Sequence, residues 1–135
     1  MQVYVHVILT FIFAGILSPF LGFYSLVVFL SGFVFDIDHY FYYILKKRDF
    51  SLVNSYLYCV QGSKVYEPHT GVLHIFHTWE MWVLFFILGV VIHVIFLYAL
   101  IGLIFHMLLD WGYLFFNQDS IDIRVWSLIG WISRN

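Results

Sequence analysis

The sequence predicts an all-α integral membrane protein: a bundle of four transmembrane helices with short extracytoplasmic hairpins and a C-terminal interfacial helix. Hydrophobic residues make up 63% of the 135 residues and charged residues 10%, whereas soluble domains are about 45–50% apolar and about 25% charged. Residues 1–35 and 81–109 contain no Asp, Glu, Lys or Arg. Because about 20 apolar residues cross the ~30 Å hydrocarbon layer, runs of this length predict membrane spans.

The predicted elements follow from breaks in the apolar runs. Pro19 and Gly22 in "LSPFLG" divide the first run into two helices, because proline and glycine interrupt helices. The polar sequence "DIDHY" ends the second helix, and the later run must reverse once, near residues 97–101. The tail combines basic ends with Trp and Leu, which is typical of an interfacial helix. The single membrane domain 1–135 therefore has helices at about 2–17, 20–35, 79–97 and 100–116, a cytoplasmic loop at about 36–78 and an interfacial tail at about 123–133.

Positive charge gives the predicted orientation. In the four-helix arrangement all six basic residues fall on the same side as both termini: Lys46, Lys47, Arg48, Lys64, Arg124 and Arg134. The positive-inside rule makes that side cytoplasmic, in the cytoplasmic (inner) membrane. The sequence has no basic stripe, which argues against a nucleic-acid partner, and it leaves the oligomeric state open.

Two clusters of ionisable residues interrupt this apolar background. His106 and Asp110 stand four residues apart in "GLIFHMLLD", so they share one face of the fourth predicted helix. A buried carboxylate needs a partner: either the pair hydrogen-bonds and joins two helices, or both side chains bind a metal ion. Asp36, Asp38 and His39 in "FDIDHYF" are either a polar stop in water or a set of donors suited to Zn²⁺, Mn²⁺ or Mg²⁺.

A third cluster, "HTGVLHIFHTWE", precedes the third predicted helix. His74, His77 and Glu80 are spaced i, i+3, i+6 and can share one side of a helix. Interfacial histidines, and a helix-dipole role for Glu80, are the alternatives. His6 lies at a matching depth in the first helix, whereas His93 lies on the opposite face of its helix and is interpreted as structural. Each helix of the bundle thus brings ionisable groups to one membrane face, which is how helix bundles build metal sites.

At these residues the chain resembles a family of small membrane-bound, metal-dependent hydrolases, the LexA-regulated inner-membrane type. The family's Gly-x-x-x-His-x-x-x-Asp element matches "GLIFHMLLD" (102–110), and its Pro-Asp-x-Asp-His element matches "FDIDH" (35–39), with phenylalanine in place of proline. Its early Thr-His corresponds to "VHV" (5–7), with valine in place of threonine. The segments "HTGVLHI" (69–75) and "FHTWE" (76–80) keep histidines of its third element but lack its arginine.

The clusters and the resemblance together predict a membrane-embedded metal-dependent hydrolase that cleaves a phosphoester of a membrane lipid at the cytoplasmic leaflet. One or two divalent ions, of which zinc fits the histidines best, would assist the reaction. The predicted metal ligands are Asp36, Asp38, His77, His106 and Asp110, followed by His6, His39 and His74, and the predicted general base or acid is Glu80 or His69. The alternative is a non-enzymatic metal-binding or metal-stabilised membrane bundle, which would use the same residues. An open coordination position would distinguish the hydrolase from the non-enzymatic bundle, because a catalytic zinc keeps such a position and a structural zinc does not.

Overall fold

Every regular element in the described part of the chain is a helix. The computed structural model describes residues 3–62, 74–117 and 126–133. Within these ranges the elements are α1 (Val3–Leu21), α2 (Ser25–Val34), α3 (Ile37–Lys47), α4 (Leu52–Gly62), α5 (Trp79–Val91), α6 (Ile95–Asn117) and α7 (Leu128–Ile132), with 3₁₀ turns at Gly22–Tyr24 and Ile75–His77. The predicted all-α class is confirmed for these residues.

Two segments are long and apolar enough to cross a membrane: Val3–Lys47, which contains α1 to α3, and Ile95–Tyr113 within α6. The apolar helix α5 has 13 residues, which corresponds to about 20 Å at 1.5 Å per residue. Helix α2, with 10 residues, is shorter still. Because the hydrocarbon layer is ~30 Å thick, the structure supports two candidate spans, and a bundle of four spans stays a prediction.

Helix α1 continues past its predicted end. It runs through Pro19 to Leu21, so the predicted helix end near residue 17 is wrong, although the run is divided within "LSPFLG" as predicted. Pro19 cannot donate a backbone hydrogen bond to the carbonyl of Gly15, and the Ser18 hydroxyl donates to that carbonyl instead (2.8 Å). The chain turns at Gly22, whose φ of 54° lies in the left-handed region, which glycine adopts without a steric penalty.

The predicted reversal at residues 97–101 is also wrong, because α6 begins at Ile95 and continues through these positions. The chain reverses between Val91 and Ile95 instead. There the Nδ1 atom of His93 accepts a hydrogen bond from the backbone N–H of Ile95 (3.2 Å). A side-chain acceptor at this place satisfies an N–H that has no partner within its own helix, so His93 has a local structural role.

The predicted cytoplasmic loop at 36–78 contains helices α3 and α4. A tight turn joins them, and Asp49 organises it. One carboxylate oxygen of Asp49 accepts hydrogen bonds from the Tyr43 hydroxyl (2.6 Å) and from the Asn54 side chain (2.8 Å), and the other accepts from the backbone N–H of Ser51 (2.9 Å). These short-range bonds form a hairpin of two helices in a segment whose polar and aromatic residues predict a loop.

Helix α2 packs against both α1 and α6 through residues with small side chains. A Cβ atom added at Gly32 would overlap Thr10 of α1, and one added at Gly102 of α6 would overlap Ser31 and the carbonyl oxygen of Val28. Small residues allow helix backbones to approach closely in this way. The close approach brings the ionisable residues of α1, α3 and α6 within reach of one another.

The tail is attached to the beginning of α5. The backbone N–H of Trp79 donates to the carbonyl of Trp126 (3.1 Å), and the Trp126 ring packs against Trp111 with 5.6 Å between centroids. Its helix, α7, is shorter than the predicted tail at 123–133, of which residues 123–125 lie outside the described part. The interfacial position of the tail stays a prediction.

Candidate metal centre

All eight residues predicted as metal ligands come together in the structure. They form four overlapping groups whose donor atoms lie within 4.8 Å of one another: His6, Asp36 and His106; Asp36, His39 and His77; Asp38, His39 and His74; and His77, His106 and Asp110. These residues come from α1, from the α2–α3 junction and α3, from the segment that precedes α5, and from α6. Buried groups of imidazoles and carboxylates at such distances can hold a divalent metal ion.

The inner site, defined as His77, His106 and Asp110, is the most deeply buried of these groups. The exposed fractions of the three residues are 4%, 0% and 3%. The Nε2 atoms of His77 and His106 are 3.2 Å apart, and the Oδ2 atom of Asp110 lies 3.9 Å from the first and 4.0 Å from the second. Two nitrogens and one oxygen therefore converge on one small volume.

Hydrogen bonds on the far side of each ring determine which nitrogen carries the proton. The Nδ1 atom of His106 lies 3.0 Å from the carbonyl oxygen of Gly32, which only accepts, so this nitrogen is the donor. The Nδ1 atom of His77 lies 3.1 Å from Oδ2 of Asp38, and it is the donor for the same reason. With the Nδ1 atoms as donors the two Nε2 atoms face each other at 3.2 Å, a distance that is favourable only when a cation or a proton lies between them.

The two imidazoles of the inner site fit a metal ion by two independent measures. Two nitrogen ligands of a tetrahedral zinc ion, each about 2.05 Å from the metal, are about 3.3 Å apart, and the two Nε2 atoms here are 3.2 Å apart. Histidine ligands also commonly donate their second N–H to a backbone carbonyl or a carboxylate, which fixes the ring and its tautomer. His106 uses the carbonyl of Gly32 in this way, and His77 uses the carboxylate of Asp38.

Further groups flank the inner site. His6 Nε2 donates a hydrogen bond to Oδ1 of Asp110 (3.1 Å), and the His6 ring stacks on His106 with 4.2 Å between centroids. His6 Nδ1 is buried and makes no hydrogen bond. Asp36 Oδ1 lies 3.4 Å from Nε2 of His106 and 3.6 Å from Nε2 of His39. His6 thus orients Asp110, and Asp36 lies between the inner site and the residues nearer to solvent.

The outer group, defined as Asp38, His39 and His74, is more accessible. The exposed fractions of the His39 and His74 side chains are 31% and 18%, and their ring centroids are 3.9 Å apart. Asp38 is buried, and its Oδ1 atom accepts no hydrogen bond, with Nδ1 of His74 at 3.7 Å. The two oxygens of Asp38 therefore face different surroundings, because Oδ2 accepts from His77 and Oδ1 points toward the outer group.

Glu80, predicted as a general base or acid, has a structural role in the described part of the chain. Its Oε1 atom accepts hydrogen bonds from the Ser127 hydroxyl (2.6 Å) and the backbone N–H of Ile129 (3.1 Å), which join α5 to the tail. A general acid or base role for Glu80 stays a prediction. His69, the other predicted catalytic residue, lies outside the described residues.

Two contributors to these contacts are missing from the sequence prediction. The Gly32 carbonyl orients His106, and the Ser127 hydroxyl holds Glu80. No sequence signal marks a particular backbone carbonyl as a partner. The pair Ser31-Gly32, within an apolar helix, does indicate close packing, and that packing places this carbonyl beside α6.

Comparison with known proteins finds no relative: no protein-family model, no curated protein and no solved structure matches the chain. The likeness of its short motifs to membrane-bound metal-dependent hydrolases stays an expectation. The function is therefore inferred from the chemistry of the site, because a fold alone does not determine an activity.

Proposed function

We propose that this chain is a membrane-embedded, metal-dependent hydrolase that cleaves a phosphoester of a membrane lipid, with a divalent ion at the inner site. The observation that carries the proposal is the pair of facing Nε2 atoms of His77 and His106, 3.2 Å apart. Each ring is held by a hydrogen bond at Nδ1, so neither can turn its lone pair away without losing that bond. Zinc suits two imidazoles and a carboxylate best among common divalent ions.

Each residue has a separate part in this proposal. His77, His106 and Asp110 bind the ion, while the Gly32 carbonyl and Asp38 keep the two imidazoles in their binding tautomer. A divalent ion, when bound, polarises a phosphoryl oxygen and lowers the pKa of a bound water. The burial of the ligands strengthens their electrostatic interaction with charged groups, because the local dielectric constant is low.

A lipid is the substrate class that best suits a site built on apolar helices. His6 lies in the first candidate span, and His106 and Asp110 lie in the second. A water-soluble substrate would not require ligands in segments of this kind, whereas the phosphate of a lipid lies at the membrane surface. The cluster Lys46, Lys47 and Arg48 at the end of α3 supports a site on the cytoplasmic side, in line with the positive-inside rule.

A metal-stabilised bundle without catalytic activity is the second candidate. It is favoured by the exposed fractions of the inner ligands, which are 0% to 4%, because a structural zinc site is closed to solvent and a catalytic site keeps an open position. The ligands also come from separate parts of the chain, so one ion would join these parts. The two candidates differ in whether a substrate is turned over.

The test is hydrolysis by the detergent-purified chain. Phospholipids, lysophospholipids and polyprenyl phosphates are presented in mixed micelles, and release of phosphate or headgroup is measured with and without a chelator. We expect release that requires a divalent metal and falls by more than about 100-fold in His106→Ala, since losing a group that only orients a ligand costs about 10–100-fold. His93→Ala is the matched control, because His93 contacts the start of α6 and not the cluster.

Release that continues unchanged in the chelator, or in His106→Ala, would refute the metal-dependent hydrolase. A chain that binds metal but releases nothing from any lipid would also refute it and would favour the metal-stabilised bundle. A chain that binds no metal would contradict both candidates.

A further inference from the structure

We propose that the cluster holds a second divalent metal ion, at the outer group, and that Asp36 bridges the two ions. This inference rests on the proposed function, because it assumes that the inner site binds a metal. The outer ion would be bound by Oδ1 of Asp38 and by the imidazoles of His39 and His74, whose donor atoms lie within 4.8 Å of one another. An ion of the zinc type suits this set of one carboxylate and two imidazoles.

The first observation for this site is the unequal surroundings of the two Asp38 oxygens. Oδ2 accepts the N–H of His77 at 3.1 Å, and Oδ1 is buried without a hydrogen bond. A buried, unsatisfied carboxylate oxygen is costly, and a cation at this place would remove the cost. Since Asp38 is only 7% exposed, water has little access to compensate for it.

The second observation is the arrangement of the neighbouring imidazoles. His74 Nδ1 lies 3.7 Å from Oδ1 of Asp38, and the rings of His39 and His74 are in contact, with 3.9 Å between centroids and 40° between planes. Two histidines from different segments therefore gather at the carboxylate oxygen that makes no hydrogen bond. The 3.7 Å between His74 Nδ1 and Asp38 Oδ1 is a distance expected of two donors around one ion, since two ligands of one ion lie about 3–4 Å apart.

Asp36 connects the outer group to the inner site. Its Oδ1 atom lies 3.6 Å from Nε2 of His39 and 3.4 Å from Nε2 of His106. Sites with two metal ions, which are common among enzymes that cleave phosphoesters, hold their ions about 3.5–4 Å apart and use both to bind the reacting group. A carboxylate that reaches ligands of both groups is in the position to bridge such a pair.

The two ions would differ in accessibility. Inner ligands are 0–4% exposed, whereas the side chains of His39 and His74 are 31% and 18% exposed. The outer ion would therefore exchange faster with solvent and keep the open coordination position that a catalytic ion requires. The substrate phosphate would reach the outer ion first, and both ions would then act on it.

The experiment counts ions per chain. The purified chain is stripped with a chelator, reloaded with an excess of Zn²⁺, dialysed to remove unbound zinc and analysed for metal by mass spectrometry, in parallel with His39→Ala/His74→Ala and the control His93→Ala. We expect two ions in the native chain and in His93→Ala, and one ion in the double variant. Circular dichroism verifies that the double variant is folded. Chelator titration of the native chain gives a second measurement, with one ion lost early and the other late.

Each result separates this inference from the proposed function. One ion in the native chain, retained by the folded double variant, would overturn the outer site and leave the inner site intact, whereas one ion that the double variant loses would overturn the inner site and with it both proposals. Two ions that both remain in the folded double variant would place the second ion elsewhere and overturn it too. If the double variant does not fold, the two-step chelator titration decides, and a single step at one ion refutes the outer site. No ion in the native chain would overturn both proposals.

Discussion

Substituting Gly102 by alanine should separate α6 from α2 and weaken the candidate metal centre. A Cβ atom at Gly102 would overlap the Ser31 hydroxyl and the Val28 carbonyl oxygen. The Ser31 hydroxyl is itself bonded to the carbonyls of Val27 (2.8 Å) and Val28 (3.1 Å), so it cannot move without losing both bonds. The Val28 oxygen belongs to the backbone of a helix, so the overlap can be relieved only by a shift of α6.

The size of the effect follows from two opposing contributions. Overpacking of a well-packed contact costs about 1–3 kcal/mol, while alanine is better than glycine in a helix by about 1 kcal/mol. At Gly112, in the same helix, an added Cβ meets nothing within 4 Å, so Gly112→Ala has only the favourable contribution. The helix contribution is the same in both variants and cancels, so the two should differ by the overpacking cost alone, about 1–3 kcal/mol in the free energy of unfolding.

The assay is unfolding by SDS from dodecyl maltoside micelles, followed by tryptophan fluorescence, with zinc content measured on the same samples. His106 lies one helical turn beyond Gly102, so we expect Gly102→Ala to lose zinc as well as stability. Gly112 is only two residues beyond Asp110, yet the Gly112→Ala variant should keep its zinc. This control excludes closeness to a ligand as the cause of zinc loss in Gly102→Ala. Equal stability and equal zinc content in the two variants would refute the packing argument.

Three further outcomes are expected. A tag after Asn135 should be cleaved by protease only from the cytoplasmic face of oriented vesicles, because the basic residues predict a cytoplasmic C-terminus. Cleavage from the other face would show the opposite topology. The hydrogen bond from Tyr43 lowers the pKa of Asp49 from 3.8. The ionised carboxylate therefore stabilises the fold above about pH 4, and this contribution is lost as the pH falls through the folded pKa. The stability difference between the native chain and Asp49→Asn should shrink in acid, and a difference that stays constant with pH would contradict this reasoning. Glu80→Gln and Ser127→Ala should each increase the mobility of a spin label on α7, with a less than additive effect when combined; additive effects would mean that the two side chains act separately.

The identity of the clustered residues could be predicted from the sequence because ionisable residues are rare in apolar helices. His106 and Asp110 share a helical face by their spacing alone, and Asp36 and Asp38 stand where a charge-free run ends. Bringing these positions to one end of a bundle requires only that consecutive helices be antiparallel. The structure gathers all of the predicted ligands, although the ion that they hold stays a proposal.

The ends of the helices could not be predicted, because side chains replaced backbone hydrogen bonds at the critical places. Ser18 satisfies the carbonyl that Pro19 leaves without a partner, so α1 continues. His93 satisfies the first free N–H of α6, so the chain reverses without a glycine or proline. Glu80 has the side-chain chemistry and the position expected of a catalytic residue. Its hydrogen-bond partner Ser127 is 47 residues away, and a pairing over that distance depends on the tertiary fold and cannot be read from the sequence.

The distance along the chain between His6 and Asp110, 104 residues, has a consequence for synthesis of the protein. The ribosome adds about 5–20 residues per second, so α1 to α3 emerge seconds before α6 is complete. During that interval Asp36 lacks its partner His106 on α6, and Asp38 lacks its partner His77 in the segment before α5. Carboxylates without partners are costly in hydrocarbon, so in the proposed membrane-embedded chain this end would stay in water until α6 inserts. Insertion of the last long helix would then be the step that closes the candidate centre, and a chain truncated before α6 would be left with its charges exposed.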